Sequence, residues 1–151
     1  MKKTVISIAA FCLTVMLSFP LYAVSVSAAE PGPEQVDILF LHDTHSHLDS
    51  FPTVEEGQNV TLGGFARIKT LIDEKKEENP DALVLDAGDF SMGTLVQTIF
   101  HTDAPELRML GYLGCEVSTF GNHEFDYRST GLAGALDAAV RSGDPVPALA
   151  L

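Results

Sequence analysis

Basic residues are scarce in this chain of 151: nine lysines and arginines face 21 aspartates and glutamates, for a net charge of −12. Setting aside Lys2 and Lys3, which belong to a separate leading segment, seven basic residues remain and the net charge falls to −14. Such a chain repels nucleic-acid backbones and offers no basic patch to hold them, which excludes nucleic acid as a partner. Much of the surplus is solvated surface, as in Asp73-Glu74 and Glu77-Glu78, though it is compatible with recruiting divalent cations. Cysteine is equally scarce, with only Cys12 and Cys115. Cys12 lies inside an apolar stretch, directly after Phe11, where a lipoprotein's anchoring cysteine does not sit. Cys115 then has no partner, so no disulfide framework holds the fold, and a lone cysteine flanked by apolar residues reads as a small core side chain. Repeats and low-complexity tracts are missing, and the length leaves no room for a second full domain.

A long apolar run is also missing. Val5 to Leu17 is apolar apart from Ser7 and Thr14, shorter than the roughly 20 residues a spanning helix needs. It follows Lys2 and Lys3 and leads through Pro20 to the small residues Ser25-Val26-Ser27-Ala28-Ala29. That order is a secretory signal peptide over residues 1–29, with cleavage after Ala28 or Ala29. The chain would then meet a membrane only during export and work outside the cytoplasm, in a periplasm or at a cell surface. Residues 30–35 (Glu-Pro-Gly-Pro-Glu-Gln) form a flexible lead-in.

From residue 36 the pattern is regular. Val36 to Leu41 reads as a buried strand. Gly63-Gly64 opens a helix with Phe65, Ile68, Leu71 and Ile72 on one face, ending before Asn79-Pro80. Ala82 to Leu85 is a second strand; Pro105 begins a helix carrying Leu107, Leu110 and Leu113; Glu116 to Phe120 is a third strand. Leu132 to Val140 is an Ala-rich helix, and Pro147 to Leu151 reads as a strand beginning. This alternation implies an α/β fold around a largely parallel sheet.

Each of the first three strands runs straight into a polar cluster: His42-Asp43-Thr44-His45-Ser46-His47, then Asp86-Ala87-Gly88-Asp89, then Gly121-Asn122-His123-Glu124-Phe125-Asp126. In an open parallel sheet the carboxyl ends of the strands share one edge, where ligands bind. Three clusters of Asp, His and Asn therefore converge on one place, and their chemistry is that of a metal site. Asp43 and His45, two residues apart, can face one ion. Asp89, after a glycine, can approach closely, and its two oxygens can bridge two ions. Asn122 offers an amide oxygen. This mixed nitrogen and oxygen set suits Mn, Zn, Fe or Co better than calcium. Any one cluster alone is weak, since Gly-Asp is common turn chemistry and Gly-Asn-His-Glu can be a turn before a helix cap; the ordered set is far more specific.

A rival reading takes His45 and His47 as a pair. That pair resembles the first metal pair of barrel hydrolases in the amidohydrolase and TatD-like group, but it leaves the second and third clusters without a role. Asp43-x-His45, Gly88-Asp89 and Gly121-Asn122-His123-Glu124 instead resemble, in order, the first signature blocks of the calcineurin-like metallophosphoesterases. Gly63-Gly64-Phe65-Ala66-Arg67, Phe90-Ser91-Met92-Gly93-Thr94 and Phe125-Asp126-Tyr127 are similar to the 5'-nucleotidase and UDP-sugar hydrolase branch.

The resemblance covers residues 36–151 and implies the N-terminal portion of a catalytic domain: the first half of an α/β sandwich with αββα layers. It implies two divalent metal ions, the first on Asp43 and His45, with Asp89 bridging and Asn122 on the second. His123 would contact the phosphate and stabilise the transition state or protonate the leaving oxygen, with Asp126 holding its tautomer; Asn122 and His123 would be the substrate-binding residues. The implied activity is hydrolysis of nucleotide phosphate esters by a hydroxide bridging the metals, serving nucleotide catabolism with a small-molecule nucleotide as substrate. UDP-sugar hydrolysis and 2',3'-cyclic nucleotide cleavage share the same core. Gly63, Gly64 and Arg67 are expected to serve the start of the helix and its packing, and His42, His47 and His101 to make local contacts. The family completes its site with a later histidine, a Gly-His-x-His block and a C-terminal nucleoside-binding domain, none of which occurs here. The expectation is therefore a truncated domain, inactive when expressed alone; a non-catalytic secreted binding protein is the alternative from another class.

Overall fold

A computed structural model describes residues 36–150; the expected signal peptide and lead-in lie outside them. Four parallel strands form one sheet in the order β1 (Ile38–Leu41), β4 (Leu83–Asp86), β5 (Val117–Ser118), β6 (Ala148–Leu149). Between β1 and β4 the chain makes an antiparallel hairpin, β2 (Phe51–Glu55) and β3 (Gln58–Leu62), and then helix α1 (Phe65–Glu78). A 3-10 turn at Leu95–Ile99, a short helix α2 (Phe100–Asp103) and α3 (Pro105–Leu113) lead to β5. A second 3-10 turn (His123–Phe125) and α4 (Arg128–Ser142) lead to β6. The expected α/β class and parallel sheet are found. Among the described residues β2 and β3 pair only with each other, as a two-stranded sheet separate from the parallel one.

The helices form where the sequence supplies both an apolar stripe and a stop. In α1, Phe65 and Ile72 are buried, but Leu71 is 54% exposed. At about 100° per residue, Leu71 lies roughly 60° beyond Ile68, off the edge of the stripe. Helix α3 starts with Pro105 at its first position, where no N–H is needed, and ends at Gly114 with φ 86°. Its Leu107, Leu110 and Leu113 are all buried, as the spacing implies. Helix α4 runs longer at both ends than the Ala-rich stretch indicates, until Gly143 stops it with φ 72°.

Leu39, Leu41, Val84 and Leu149 face the core from the sheet and meet Phe65, Phe90, Phe100, Leu107 and Leu110. Ile38, Phe40 and Val117, on the opposite face, are exposed. The third strand is shorter than expected because the chain leaves the ladder after Ser118 and turns toward Gly121. Cys115 is a buried core residue whose thiol is pushed up to about 12, mainly by burial.

Leu110, fully buried, and Leu71, half exposed, calibrate this core. In urea unfolding, Leu110→Ala is expected to cost about 2–5 kcal/mol and Leu71→Ala no more than about 0.5 kcal/mol. Equal losses would contradict the packing described.

Candidate metal centre

The backbone pairing of β1 with β4 continues past both strands. The Ala87 N–H donates to Leu41 O at 2.9 Å, Asp43 to Gly88 O at 3.0 Å, His45 to Asp89 O at 3.1 Å and Ser46 to Phe90 O at 2.8 Å. Two polar loops are thus held in register as though they were sheet. To keep that register, Asp43, His45, Ser46 and Asp89 adopt positive φ of 50°, 45°, 54° and 52°. Each such residue stores on the order of 1–3 kcal/mol of strain, which clusters at functional sites. The third loop is pressed against the second through two glycines. A Cβ on Gly88 would collide with the backbone of Gly121, and one on Gly121 with the Asp89 carboxylate.

His45, Asp89 and His123 each bring one ligand-type atom to within 4.8 Å of one another. The His45 Nδ1 faces the carbonyls of Met92 at 3.1 Å and Ser91 at 3.3 Å. Carbonyls only accept, so Nδ1 carries a hydrogen and Nε2 is the nitrogen left for the site. That Nε2 lies 3.5 Å from Asp43 Oδ1. The other Asp43 oxygen is 2.6 Å from His42 Nδ1, and this hydrogen bond is the main cause holding the Asp43 carboxyl below its ordinary pKa. The Asn122 amide lies between Asp89 and His123; turned so that both neighbours are satisfied, its nitrogen donates to Asp89 Oδ2 at 3.2 Å and its oxygen accepts from the His123 backbone nitrogen at 3.3 Å.

His123 follows the same logic from the third loop. Its Nδ1 lies 2.7 Å from Asp126 Oδ2, which leaves Nε2 for the site. The Asp126 hydrogen bond is the largest effect and raises the His123 pKa; burial, the next largest, opposes it, and charge attraction to Asp126, Asp89 and Glu124 adds to the rise. The His123 backbone N–H donates to Asp89 Oδ1 at 2.9 Å. All six residues singled out from sequence therefore gather at one edge of the sheet: Asp43, His45, Asp89, Asn122, His123 and, behind His123, Asp126.

Three buried carboxylates under the loops were not singled out from sequence. Glu124 accepts from the N–H groups of Asp89 (2.9 Å), Gly121 (2.7 Å) and Ser91 (2.9 Å), and from the Ser91 hydroxyl (2.8 Å). Glu106 accepts from the Ser46 hydroxyl at 2.6 Å, and burial pushes its carboxyl pKa up. Asp86 accepts from the Ser118 hydroxyl at 2.6 Å and the Gly88 N–H at 3.1 Å, and is likewise raised by burial. In a chain this acidic nothing in the sequence marks these three as interior, although Glu124 does stand inside the third cluster.

The remaining histidines make local contacts: His42 with Asp43, His47 edge-on to Phe51 at 6.0 Å, and His101 beside Tyr127 at 5.3 Å. Gly64, with φ 88°, sits at the start of α1, and Arg67 donates to the Thr61 carbonyl.

Parallel strands ending in Asp, His and Asn loops at one edge define a class, and comparison with known proteins agrees with it. The model for the calcineurin-like phosphoesterases matches residues 36–146, and the chain belongs to that family. Within it the similarity is to 5'-nucleotidases. A probable 5'-nucleotidase of Treponema pallidum is 34% identical over 123 residues, covering 77% of this chain and 21% of that protein. Among solved structures, the 5'-nucleotidase precursor from Thermus thermophilus aligns with TM-score 0.61 and 31% identity, over 68% of this chain and 20% of that one. The NAD nucleotidase of Haemophilus influenzae aligns with TM-score 0.59 and 33% identity, over 67% and 18%. The chain thus spans about a fifth of the length of these relatives.

Because Asp126 raises the His123 pKa, the pair stabilises the fold fully below the ordinary imidazole pKa, and the contribution is lost as pH rises through the raised value. Asp126→Asn is expected to lower the midpoint of the His123 ring titration followed by NMR. An unchanged midpoint would show that Asp126 does not hold this imidazole.

Proposed function

We propose that the full gene product is an exported, metal-dependent phosphoesterase that hydrolyses nucleotide phosphate esters, with the described residues as the N-terminal portion of its catalytic domain. The observation that carries this reading is the convergence of His45, Asp89 and His123, two imidazoles with Nδ1 committed elsewhere around one carboxylate. The His45 imidazole beside the Asp43 and Asp89 carboxylates fits a borderline divalent ion such as Mn, Zn, Fe or Co. Asp43 and His45 would hold one ion, Asp89 would be shared, and Asn122 would serve a second. Bound there, the ions would supply Lewis-acid polarisation of a phosphoryl group and shield its developing charge.

The chain's own residues do the rest. The carbonyls of Ser91 and Met92 orient His45 so that Nε2 faces Asp43. Asp126 keeps His123 in one tautomer and favours its protonated form. With Nδ1 held by Asp126, Nε2 is the His123 atom left to donate to the phosphate or to the leaving ester oxygen. Asn122, beside Asp89 and His123, would meet the same phosphate. His47, the partner a barrel-hydrolase reading requires, lies against Phe51 rather than with His45. Nucleotides are the proposed substrates on the strength of the names borne by the relatives, with UDP-sugars and 2',3'-cyclic nucleotides as the competing substrates. Export rests on the pattern from Lys2 to Ala29, and the mature protein would then work in a periplasm or at a cell surface.

The test pairs two readouts on the full gene product with manganese. His123→Ala is expected to lower kcat on AMP by about 10²–10⁴-fold while metal content is retained. Loss of metal would make His123 a ligand instead. AMP, UDP-glucose and a 2',3'-cyclic nucleotide offered side by side decide the substrate, and no turnover of any of them would contradict the phosphoesterase reading.

A further inference from the structure

We propose that Glu124 is a positioning residue for the metal centre, a single buried carboxylate that locks the Asp89 loop to the Asn122–His123 loop. The inference rests on the metallophosphoesterase reading above and names what sets the spacing of its ligands.

Glu124 is completely buried, yet both of its oxygens are fully used. Oε1 takes the backbone and side-chain hydrogens of Ser91; Oε2 takes the backbone hydrogens of Asp89 and Gly121. Four donors and no acceptor face it, a match for an ionised carboxylate, which only accepts. Hydrogen bonds to an ionised group are shorter and stronger than neutral ones. The grip is placed where it matters most. Asp89 and Ser91 lie on either side of Phe90, so the segment carrying the bridging carboxylate is held at two points. Gly121 belongs to the other loop, and a return bond runs from the His123 N–H to Asp89 Oδ1. The Ser91 carbonyl also faces His45 Nδ1, so a shift of the Ser91 segment would reach the first loop as well.

A carboxylate that served only general stability would not need its donors drawn from Asp89 itself, from Gly121 beside Asn122, and from Ser91, whose carbonyl faces His45. Groups that orient metal ligands typically cost about 10–100-fold in metal affinity when removed. Glu124→Gln preserves shape but turns an N–H toward N–H donors and removes the charge.

The experiment titrates manganese into the full gene product by calorimetry, with folding checked by circular dichroism and the ligand field by cobalt absorption. Glu124→Gln is expected to stay folded, bind manganese about 10–100-fold more weakly and show shifted cobalt bands. Ser91→Ala, which keeps the backbone donors and loses one of the four bonds, is expected to show a smaller loss in the same direction; it decides the matter if Glu124→Gln fails to fold. Affinity and cobalt bands like those of the unsubstituted protein in the folded variants would overturn the role of Glu124. Absence of manganese binding by the unsubstituted protein would instead bring down the metal-centre reading, and this inference with it.

Discussion

The parallel pairing of β1 with β4 runs on after the strands end, through Asp43 with Gly88, His45 with Asp89 and Ser46 with Phe90. Everything at the site depends on this extension. Loops as polar as His42–His47 and Asp86–Asp89 would otherwise be solvated and mobile, and their side chains would lose rotamer freedom each time a ligand bound. Backbone bonds meet that entropy cost in advance, and the positive φ of Asp43, His45, Ser46 and Asp89 is the strain the arrangement tolerates. The third loop cannot join the ladder, because β5 is short and turns away. It is docked by backbone contact at Gly88 and Gly121 and by Glu124.

Charge is distributed to match. Asp43 and Asp89 stand at the surface of the site, where divalent cations would compensate them. Beneath lie Asp86, Glu106 and Glu124, all taken out of water. Glu124 has four donors, whereas Asp86 and Glu106 each keep one oxygen without a partner and have raised pKa values. Burial thus raises the pKa of the two incompletely partnered carboxylates, Asp86 and Glu106, while Glu124 has a donor for every lone pair.

The four parallel strands, three of the helices and the gathering of six candidate residues at one edge were legible because the strands are apolar runs and the first three are cut off by ligand-type residues. Fold class followed from alternation, and convergence followed from parallel strands sharing one edge. The β2–β3 hairpin was not legible. Its side chains are mostly exposed on both faces, so no alternating stripe marks it, and Pro52 obscures a strand that the Glu56-Gly57 turn nonetheless closes. Leu71 misled because a residue at the margin of a helical stripe looks like a member of it. Glu106, Glu124 and Asp86 stayed hidden because burial of an acid is a tertiary fact that needs its donors in view.

The most direct test of the central claim, that three strand-end loops build one metal centre, is anomalous diffraction from crystals of the full gene product grown with manganese. The account requires a peak within coordinating distance of His45 Nε2 and an Asp89 oxygen, with a second beside Asn122 and Asp89. A manganese peak that leaves Asp89 untouched, or none at this edge of the sheet in a crystal where the metal binds elsewhere, would contradict it.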